Sequence, residues 1–437
     1  MSYATARKRG ANSEINKLYP EDRAVHEWYR FVLSFPPHLV RDYLHRFGAG
    51  PSQCVLDPFC GTGTVLVESK KLGIPSAGIE ANPMAHFASS VKVDWAVDPD
   101  ELVAHAREVA RHAAERLERD GVEDQPLFDL PRGERDSLRT LSPEAEALLL
   151  KGSISPRPLH KTLVLLECLE QHHDPRYAAH ERLALAKAVV GTASNLHFGP
   201  EVGVGKPKPD TPVISPWLTN VTSIANDLRG VAALKDVPAQ AIHADARNIG
   251  DVLEPASVDV VFTSPPYPNE KDYTRTTRLE SVLLGFIQSK ADLRAMKQGL
   301  LRSNTRNVYV SDDDDAWVSA FPEVQRIAAE IEARRIALGK TSGFERLYAR
   351  ATKLYFGGMA RHLAALRPIL RPGAHLAYVV GDQASYLRVH IPTGQLLAAI
   401  GQSLGYELDG IDLFRTRLAT ATRAMLREEV VVLRWPG

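Results

Sequence analysis

The chain has few cysteines and no long apolar run. Its 437 residues include three cysteines, Cys54, Cys60 and Cys168, and none of them belongs to a CxxC pair. This spacing offers no disulfide framework and is typical of a reducing compartment. No run of about 18 apolar residues occurs, and the opening stretch MSYATARKRGANSEINKLYP lacks the apolar centre of a signal peptide. We therefore expect a cytoplasmic protein with no membrane span.

An overall charge is also absent. Lys and Arg number 53, as do Asp and Glu, so the formal net charge is zero. No global field favours nucleic acid, and any such binding must come from a local basic face. The content of hydrophobic residues, 44%, and of charged residues, 24%, is that of an ordinary globular protein. The length predicts about two to three domains.

Two familiar site patterns are missing as well. Cys168, His172 and His173 lie close together in sequence, but no second ligand pair with zinc spacing follows, so we expect no metal site. A glycine-rich stretch, DPFCGTGT, lacks the Lys-Ser/Thr of a P-loop and is not GxGxxG. Triphosphate binding is therefore unsupported.

The hydrophobic pattern predicts an α/β protein. Residues 53–97 read as strand, glycine-rich loop, helix and strand, and strand-like runs resume at AIHADA, SVDVVFTSPPY, AHLAYVVGD and REEVVVLRW. Alternation of this kind favours a mostly parallel sheet. Between the two halves, apolar residues recur at helical spacing. The predicted units are 1–98 (N-terminal segment and first half of the core), 99–235 (a helical insertion) and 236–437 (second half of the core, with a smaller helical insertion at about 268–345).

The glycine-rich loop Asp57–Thr64 lies where a strand passes into a helix. Gly61 and Gly63 allow a sharp turn and a close approach of a ligand to the main chain. The following helix N-terminus offers unpaired N–H groups. Alone, this loop is more simply a structural turn.

Two further acidic residues favour a ligand. Glu80 ends the next strand, and an acid at that place commonly binds both ribose hydroxyls. Asp245 ends another strand and could accept a hydrogen bond from an adenine amine, although a role as a helix cap is equally consistent with the sequence. Together with Asp57, these acids describe an adenosine-containing ligand along the carboxyl edge of a parallel sheet.

The stretch TSPPY, Thr263–Tyr267, follows a buried apolar run. Pro265 and Pro266 remove two donors and fix two φ angles, which makes a stiff bend. Ser264 supplies a hydroxyl and Tyr267 a flat face. By itself TSPPY could be a turn that ends a strand, but a rigid carbonyl beside an aromatic ring also suits a planar substrate with an exocyclic amine.

DPFCGTGT and TSPPY together resemble the S-adenosylmethionine-dependent amino-methyltransferases of DNA, and the Ser-Pro-Pro-Tyr version resembles their cytosine-N4 branch. The resemblance implies a Rossmann-like class I methyltransferase sheet, mostly parallel with an antiparallel C-terminal strand, and S-adenosylmethionine as cofactor. The segment FPPHLVRDYLHRF resembles the part that closes over the methionine end. The implied cofactor residues are Phe35, Pro36, His38, Asp57, Pro58, Phe59, Cys60, Gly61, Thr62, Gly63, Thr64, Glu80, Ala81, Asn82, Asp245 and Ala246.

The same resemblance assigns the target base to Ser264, Pro265, Pro266 and Tyr267. The Ser264 hydroxyl and the Pro265 carbonyl would accept the amine protons, and Tyr267 would stack on a base swung out of the duplex. The position of the large insertion, between Glu80 and Asp245, departs from the usual order of the family. It leaves open which insertion reads the DNA sequence.

Two stretches are candidate contacts to double-stranded DNA. One directly follows the pocket and contains Lys271, Tyr273, Arg275 and Arg278. The other, GPEVGVGKPKPDTP, is too rich in Gly and Pro to be regular and contains Lys206 and Lys208. Ordinary surface is the alternative interpretation of both. The acidic run Asp312–Asp315 is expected in an exposed loop away from DNA.

Several functions fit these features. The leading hypothesis is a site-specific cytosine-N4 methyltransferase of DNA, in a restriction–modification or other defence system with cognate partner proteins. The alternatives are an adenine-N6 enzyme, an RNA amino-methyltransferase and a non-catalytic nucleic-acid-binding protein on the same fold. Methylation at cytosine C5 is disfavoured, because no cysteine lies after a proline in a suitable loop.

Overall fold

A computed structural model describes residues 16–31, 34–125, 138–199, 201–269, 271–419 and 424–437. Residues 1–15 of the predicted N-terminal segment lie outside this range. None of the helices in the described part combines the length and apolar character that crossing a bilayer requires.

A seven-stranded sheet forms the centre of the fold, in the order β5-β2-β1-β6-β7-β9-β8. β9 runs antiparallel to both of its neighbours, whereas the pairs from β5 to β7 are parallel. The predicted α/β class with an antiparallel C-terminal strand is confirmed. A separate antiparallel pair joins β3 and β4. The strands are β1 Val55–Asp57, β2 Ser76–Glu80, β3 Leu196–Phe198, β4 Val202–Val204, β5 Ala239–His243, β6 Val258–Thr263, β7 Leu370–Gly381, β8 Glu407–Leu418 and β9 Met425–Arg434.

Helices cover both faces of this sheet and form the block between β2 and β5. Several begin at a side-chain cap: Asn82 accepts from two backbone N–H groups of α3, and Asp98 does the same for α4. The helices are α1 Pro37–Arg46, α2 Thr64–Lys71, α3 Pro83–Val93, α4 Pro99–Arg119, α5 Pro143–Glu146, α6 Pro156–Gln171, α7 Ala178–Ala188, α8 Ile214–Val231, α9 Tyr273–Thr276, α10 Arg278–Leu283, α11 Lys290–Gly299, α12 Pro322–Ala337, α13 Tyr348–Leu366 and α14 Thr393–Ser403.

The apolar run of β6 is buried on both faces of the sheet. Val261 packs in the cluster that includes α13 and α14, whereas Val260 and Phe262 pack with α1 on the opposite face. This alternation follows from the two-residue period of a strand. It explains why the sequence shows a continuous apolar run before TSPPY.

The helical block between β2 and β5 shares a core with the sheet's own helices. Leu66 of α2 and Met84 of α3 belong to the same apolar cluster as Trp217 of α8. Asp227 of α8 also accepts hydrogen bonds of 2.8 Å from the Val25 backbone N–H and the Trp28 indole N–H. The block is therefore packed against the sheet and its helices along a wide apolar surface.

The acidic run Asp312–Asp315 is not the exposed loop that its charge predicted. Asp314 is 3% exposed and Asp312 is paired with Arg302 at 2.9 Å. The backbone of Asp314 lies against Gly357 of α13, where a Cβ would be 1.8 Å from the Asp314 carbonyl oxygen. The prediction of an exposed loop was wrong because the arginines that pair with these aspartates cannot be identified from the local sequence.

The stretch GPEVGVGKPKPDTP also differs from expectation. Part of it is regular, because β4 pairs with β3 in the register Phe198↔Val202 to Leu196↔Val204. Gly203 fits closely here, since a Cβ at this position would lie 2.5 Å from the His197 imidazole Nε2. The missing side chain is what allows the two short strands to pair around His197.

Candidate active site at the carboxyl edge of the sheet

The two motifs that the sequence singled out meet at the carboxyl ends of adjacent strands. β1 and β6 pair in parallel through Val55↔Val260 and Leu56↔Val261. This register places Asp57 beside Thr263, whose hydroxyl donates a 2.6 Å hydrogen bond to Asp57 Oδ1. The Phe59 backbone N–H donates to the same oxygen at 3.1 Å.

Asp57 is fully buried, and its other oxygen, Oδ2, has no hydrogen-bond partner among the described residues. Burial raises the pKa of Asp57 to about 7, and the hydrogen bond from Thr263 partly opposes this rise. A buried carboxylate oxygen without a donor is costly. It therefore indicates the place of a ligand group that donates.

The glycine-rich loop has the left-handed backbone that glycine permits. Gly61 has φ +52° and Gly63, the N-cap of α2, has φ +80°. At Gly63 a Cβ would also lie 3.0 Å from the Ser89 Cβ. The loop therefore passes close to α3, and no side chain of the described residues caps the α2 N-terminus, whose first N–H groups lack helical partners.

Glu80 is bound to that loop. Its Oε2 accepts from the Gly61 backbone N–H at 2.8 Å, and its Oε1 accepts from the Asn82 N–H at 2.7 Å. Burial raises the pKa of Glu80 to about 7, although the hydrogen bonds from these N–H groups act to lower it. Each oxygen keeps a second lone pair, which suits the expected contact to a ribose hydroxyl.

Four further residues of the predicted cofactor site are held by packing or hydrogen bonds within the fold: Phe59, Cys60, Asn82 and Ala246. The Phe59 ring packs edge-on against His362 of α13, at 4.9 Å between centroids. The same imidazole is 2.9 Å from the Ala246 carbonyl oxygen. Cys60 is buried at the loop base, where burial raises the pKa of its thiol, which suits a filler rather than a reactive group. The Asn82 amide donates to the Thr277 hydroxyl at 3.1 Å.

Asp245 is placed at the same edge, but its carboxylate is already paired. The Arg247 backbone N–H and guanidinium donate to it, the closest contact being Nη2 to Oδ2 at 2.6 Å. Arg247 is itself buried and also donates to Asp314 at 2.5 Å. Asp245 therefore acts as a helix N-cap. A contact to adenine would use one of its remaining lone pairs.

Sequence reasoning missed Lys92, which lies beneath the loop. This lysine is 1% exposed, and its ammonium donates to the Thr62 carbonyl at 2.7 Å. Burial lowers its pKa to about 7. Nothing in the helical stretch around Lys92 distinguishes it from a surface lysine, so no sequence signal could have found it.

These groups fit S-adenosylmethionine. Asp57 Oδ2 and Thr62 Oγ1 are buried polar atoms with no partner among the described residues. They flank a loop that presents backbone N–H groups and an open helix end, and Glu80 lies beyond it. Carboxylates would hold the cationic methionine end and the ribose, while N–H groups would hold the carboxylate of the methionine.

The segment with Phe35, Pro36 and His38 lies beside the TSPPY strand. The Phe35 ring packs edge-on against Phe262, at 5.6 Å between centroids. Pro36 is the N-cap of α1, and His38 lies in the first turn of that helix. Phe35 therefore contacts the strand that leads into TSPPY, and a contact of this segment with the methionine end of the cofactor stays a prediction.

TSPPY leaves β6 as an extended bend. The Ser264 hydroxyl donates to the Val379 carbonyl at 3.1 Å and is also hydrogen-bonded to the Tyr267 hydroxyl, so the serine oxygen keeps one lone pair to offer. Within the described ranges no group donates to the Pro265 carbonyl oxygen. Two acceptors therefore lie on consecutive residues at the end of the strand.

The Tyr267 ring lies against the end of β7. A Cβ at Gly381 would be 3.0 Å from Tyr267 Cε2 and 3.2 Å from Glu428 Cγ. Glu428 accepts from Arg415 at 2.5 Å and is also paired with Arg417. The missing side chain at Gly381 thus leaves room for the tyrosine ring beside a neutralised carboxylate.

The residues predicted to contact DNA fall into three groups: one exposed lysine, two residues that make hydrogen bonds within the fold, and three half-buried residues that follow TSPPY. Lys206 is exposed, whereas Lys208 donates to the Thr192 carbonyl at 2.8 Å and so supports the fold. Arg278 is buried and donates to the Thr274 hydroxyl at 2.9 Å, so its guanidinium is not available to a phosphate.

Lys271, Tyr273 and Arg275 follow TSPPY in the chain, at and just before the short helix α9. All three are half-buried. Burial lowers the pKa of Lys271, and Glu201, Arg417 and Glu428 act on it through their charges.

Within the described ranges, no group of three or more His, Cys, Asp or Glu side chains is arranged to hold a metal ion. His172 instead stacks on His112, at 4.4 Å between centroids.

Comparisons with known proteins find likeness to DNA methyltransferases. The model of the N6/N4 methyltransferases, described as DNA methylase, matches residues 6–89. The type II methyltransferase M.BsoBI of Geobacillus stearothermophilus is 26% identical over 451 residues, covering 95% of this chain and 85% of that protein. The type II methyltransferase M.AvaI of Nostoc sp. is 23% identical over 462 residues, covering 97% and 88%.

A solved structure, TrmN from Thermus thermophilus, aligns over 91% of this chain and 48% of its own, with 10% identity and a TM-score of 0.27. A likeness at this level carries no conclusion about the fold. The strand order and the match over nearly the whole length of the type II methyltransferases are the stronger findings.

Proposed function

We propose that this chain, a member of the S-adenosylmethionine-dependent DNA amino-methyltransferase family, methylates the exocyclic N4 amine of a cytosine extruded from duplex DNA. When bound, S-adenosylmethionine supplies an electrophilic methyl group on a sulfonium. Asp57, Thr62 and Glu80 are the residues that would hold it. The type II designation of the relatives suggests a role beside a restriction nuclease or another defence protein.

The observation that carries the proposal is the pair of acceptors at Ser264 and Pro265. An exocyclic amine has two N–H donors, and its lone pair is delocalised into the ring. The Ser264 oxygen, whose own hydrogen is directed to Val379, and the Pro265 carbonyl can each accept one N–H. This orients the amine, and orientation of reacting groups is worth roughly 7–11 kcal/mol in favourable cases.

Tyr267 supports the same reaction by binding the ring of the base. Its ring is held between the end of β7 and Glu428. Stacking on it would offset the cost of removing a base from the duplex, which is on the order of a few kcal/mol. Serine rather than aspartate at position 264 resembles the cytosine-N4 branch of the family, and this resemblance is what favours cytosine over adenine in the proposal.

The reaction can be tested with labelled S-adenosylmethionine and mixed-sequence duplex DNA, followed by digestion to nucleosides and mass spectrometry. We expect N4-methylcytosine. N6-methyladenine as the product would contradict the cytosine assignment, and label found only in RNA would contradict DNA as the substrate. No methylation, with tight cofactor binding, would favour a non-catalytic protein.

Variants at Tyr267 test the pocket. Tyr267→Ala should abolish methylation while largely sparing cofactor affinity, because the change removes the ring on which the extruded base would stack. Tyr267→Phe is the matched control, because it keeps the ring and should keep most of the activity. Equal loss of cofactor affinity in Tyr267→Ala would place the tyrosine in the cofactor site instead.

A further inference from the structure

The turn between α12 and α13 lies at the edge of the sheet where TSPPY leaves β6. α13 ends at Leu366, and only residues 367–369 separate it from the start of β7. The helix also packs along the sheet, since Tyr355, Met359 and Leu363 share an apolar cluster with residues of β6 and β7. It therefore runs against the direction of β7, and its N-terminus lies at the carboxyl edge. Because β6 and β7 are parallel, TSPPY is at the same edge.

A series of short contacts connects the first residue of α13 with the TSPPY loop. The Tyr348 ring stacks on the Tyr386 ring, at 4.7 Å between centroids. The Tyr386 hydroxyl donates to the Ser303 carbonyl at 3.1 Å. The Asn269 backbone N–H donates to the same carbonyl at 2.9 Å and to the Tyr267 carbonyl at 2.8 Å. The start of α13 and the proposed base pocket are thus parts of one packed region.

The segment that joins the two helices is exposed and basic. All residues from Ile336 to Phe344 are exposed. We call residues 333–353 the hairpin tip. It has six cationic residues and a single acidic one, Glu345, although the whole chain has no net charge. The six are Arg334, Arg335, Lys340, Arg346, Arg350 and Lys353.

Ion pairs neutralise only two of these six cations. Arg335 is 2.6 Å from Glu332, and Lys340 is 3.4 Å from Glu345. In the part of the chain that the structure describes, the remaining four have no carboxylate partner: Arg334, Arg346, Arg350 and Lys353. The hairpin tip therefore keeps a local excess of positive charge.

Three of these cations lie on one side of the hairpin. Arg346, Arg350 and Lys353 follow each other at spacings of four and three residues, which places them on one face of a helix. The Arg350 guanidinium donates to two backbone carbonyls, those of Val310 and Asp312, at 3.3 and 2.8 Å. These bonds orient the guanidinium without neutralising its charge.

The neighbouring segment adds one more cation and two acids. Arg306 is exposed, and its guanidinium lies 5.8 Å from the centroid of the Phe344 ring. Asp313 and Asp315 belong to the acidic run beside Arg350, and no cation pairs with either of them among the described residues. Five cations without a carboxylate partner therefore stand against two such acids.

We propose that the hairpin tip binds the phosphate backbone of the duplex that flanks the target base. This inference rests on the proposed function. A duplex that delivers a base to TSPPY must lie across the carboxyl edge of the sheet, where the tip is exposed. Cations without a carboxylate partner are what phosphates bind, and such contacts position a duplex without reading its sequence.

The test compares the full chain with the double variant Arg334→Gln/Arg346→Gln. Both side chains are exposed and have no carboxylate partner among the described residues, so the fold should be retained. Binding to a labelled mixed-sequence duplex is measured by fluorescence anisotropy at several salt concentrations. Each lost phosphate contact should reduce the slope of log affinity against log salt by about 0.9. From about 50 to 200 mM salt, the wild type should therefore lose about tenfold more affinity than the variant.

The matched control is Arg107→Gln/Arg119→Gln, which removes two exposed arginines from α4 in the large helical block. It changes the net charge by the same amount and should keep the slope of the wild type. Cofactor affinity, measured by calorimetry, should be unchanged in both double variants.

Three results would overturn the inference. They are the wild-type slope in the tip variant, an equal reduction in the tip variant and the control, or a change of oligomeric state of the tip variant in sedimentation, which would assign the surface to a second copy. Failure of the wild type to methylate any DNA would instead refute the proposed function. The slope is measured without methylation, so the two failures are distinguishable.

Discussion

The Thr263 hydroxyl donates a 2.6 Å hydrogen bond to the buried carboxylate of Asp57. Thr263 is the first residue of TSPPY, the proposed binding loop for the base. Asp57 is the first residue of the proposed cofactor loop. The bond exists because β1 and β6 are neighbours in the sheet. A single contact thus fixes the relative position of the two loops, and the methyl group and the amine must meet between them.

Thr263→Val should weaken both the fold and cofactor binding. Valine has nearly the same shape but no donor, so Asp57 would keep only the Phe59 N–H. Leaving a buried acceptor without its donor costs about 1–3 kcal/mol. Urea denaturation and calorimetry with S-adenosylmethionine check this. Thr263→Ser, which keeps the hydroxyl, is the control, and equal behaviour of both variants would show that the bond is unimportant.

Cofactor binding should strengthen the protein more at high pH than at low pH. Burial raises the pKa of Asp57 and of Glu80 to about 7, above the unfolded values of about 3.9 and 4.3. The folded state therefore holds more protons, and the free energy of unfolding of the ligand-free protein falls as pH rises from about 4 to 7. Cationic S-adenosylmethionine should favour the ionised carboxylates.

The measurement is the rise in Tm caused by S-adenosylmethionine at pH 6 and pH 8. We expect a larger rise at pH 8, and a smaller difference between the two pH values in Asp57→Asn. The same rise at both pH values in the wild type would mean that Asp57 and Glu80 do not meet the charge of the cofactor.

Gly381→Ala should slow methylation without changing cofactor affinity. The new Cβ would lie 3.0 Å from Tyr267 Cε2, so the ring must shift by a few tenths of an ångström. Displacement of a group that positions the substrate lowers kcat. Gly410→Ala is the control, since a Cβ there meets nothing within 4 Å. Single-turnover rates should separate the two, and equal rates would argue against a role for the ring position.

Arg247→Met should destabilise the protein and raise KM for S-adenosylmethionine. The change leaves the buried carboxylate of Asp314 without its closest partner and frees Asp245. Breaking a buried ion pair costs about 3–5 kcal/mol. Arg361→Met removes a longer contact to Asp314, 3.3 Å, from a more exposed side chain. It should cost less than about 1 kcal/mol, and a similar cost for the two would contradict this account.

The sequence by itself determined the class of the fold and the residues at the two strand ends. Apolar runs of strand length, such as the one before Thr263, and helical periodicity are local patterns, so they predicted the alternation correctly. The glycines at 61 and 63 were readable because a left-handed turn restricts residue type.

Only the tertiary structure decided which groups meet. Two contacts depend on residues far apart in the chain: that of Lys92 with the glycine-rich loop, and that of Arg247 with Asp245 and Asp314. The acidic run was misjudged for the same reason. The charge of a side chain is set by its own type, but its burial and its partners are set by packing, which no local pattern records.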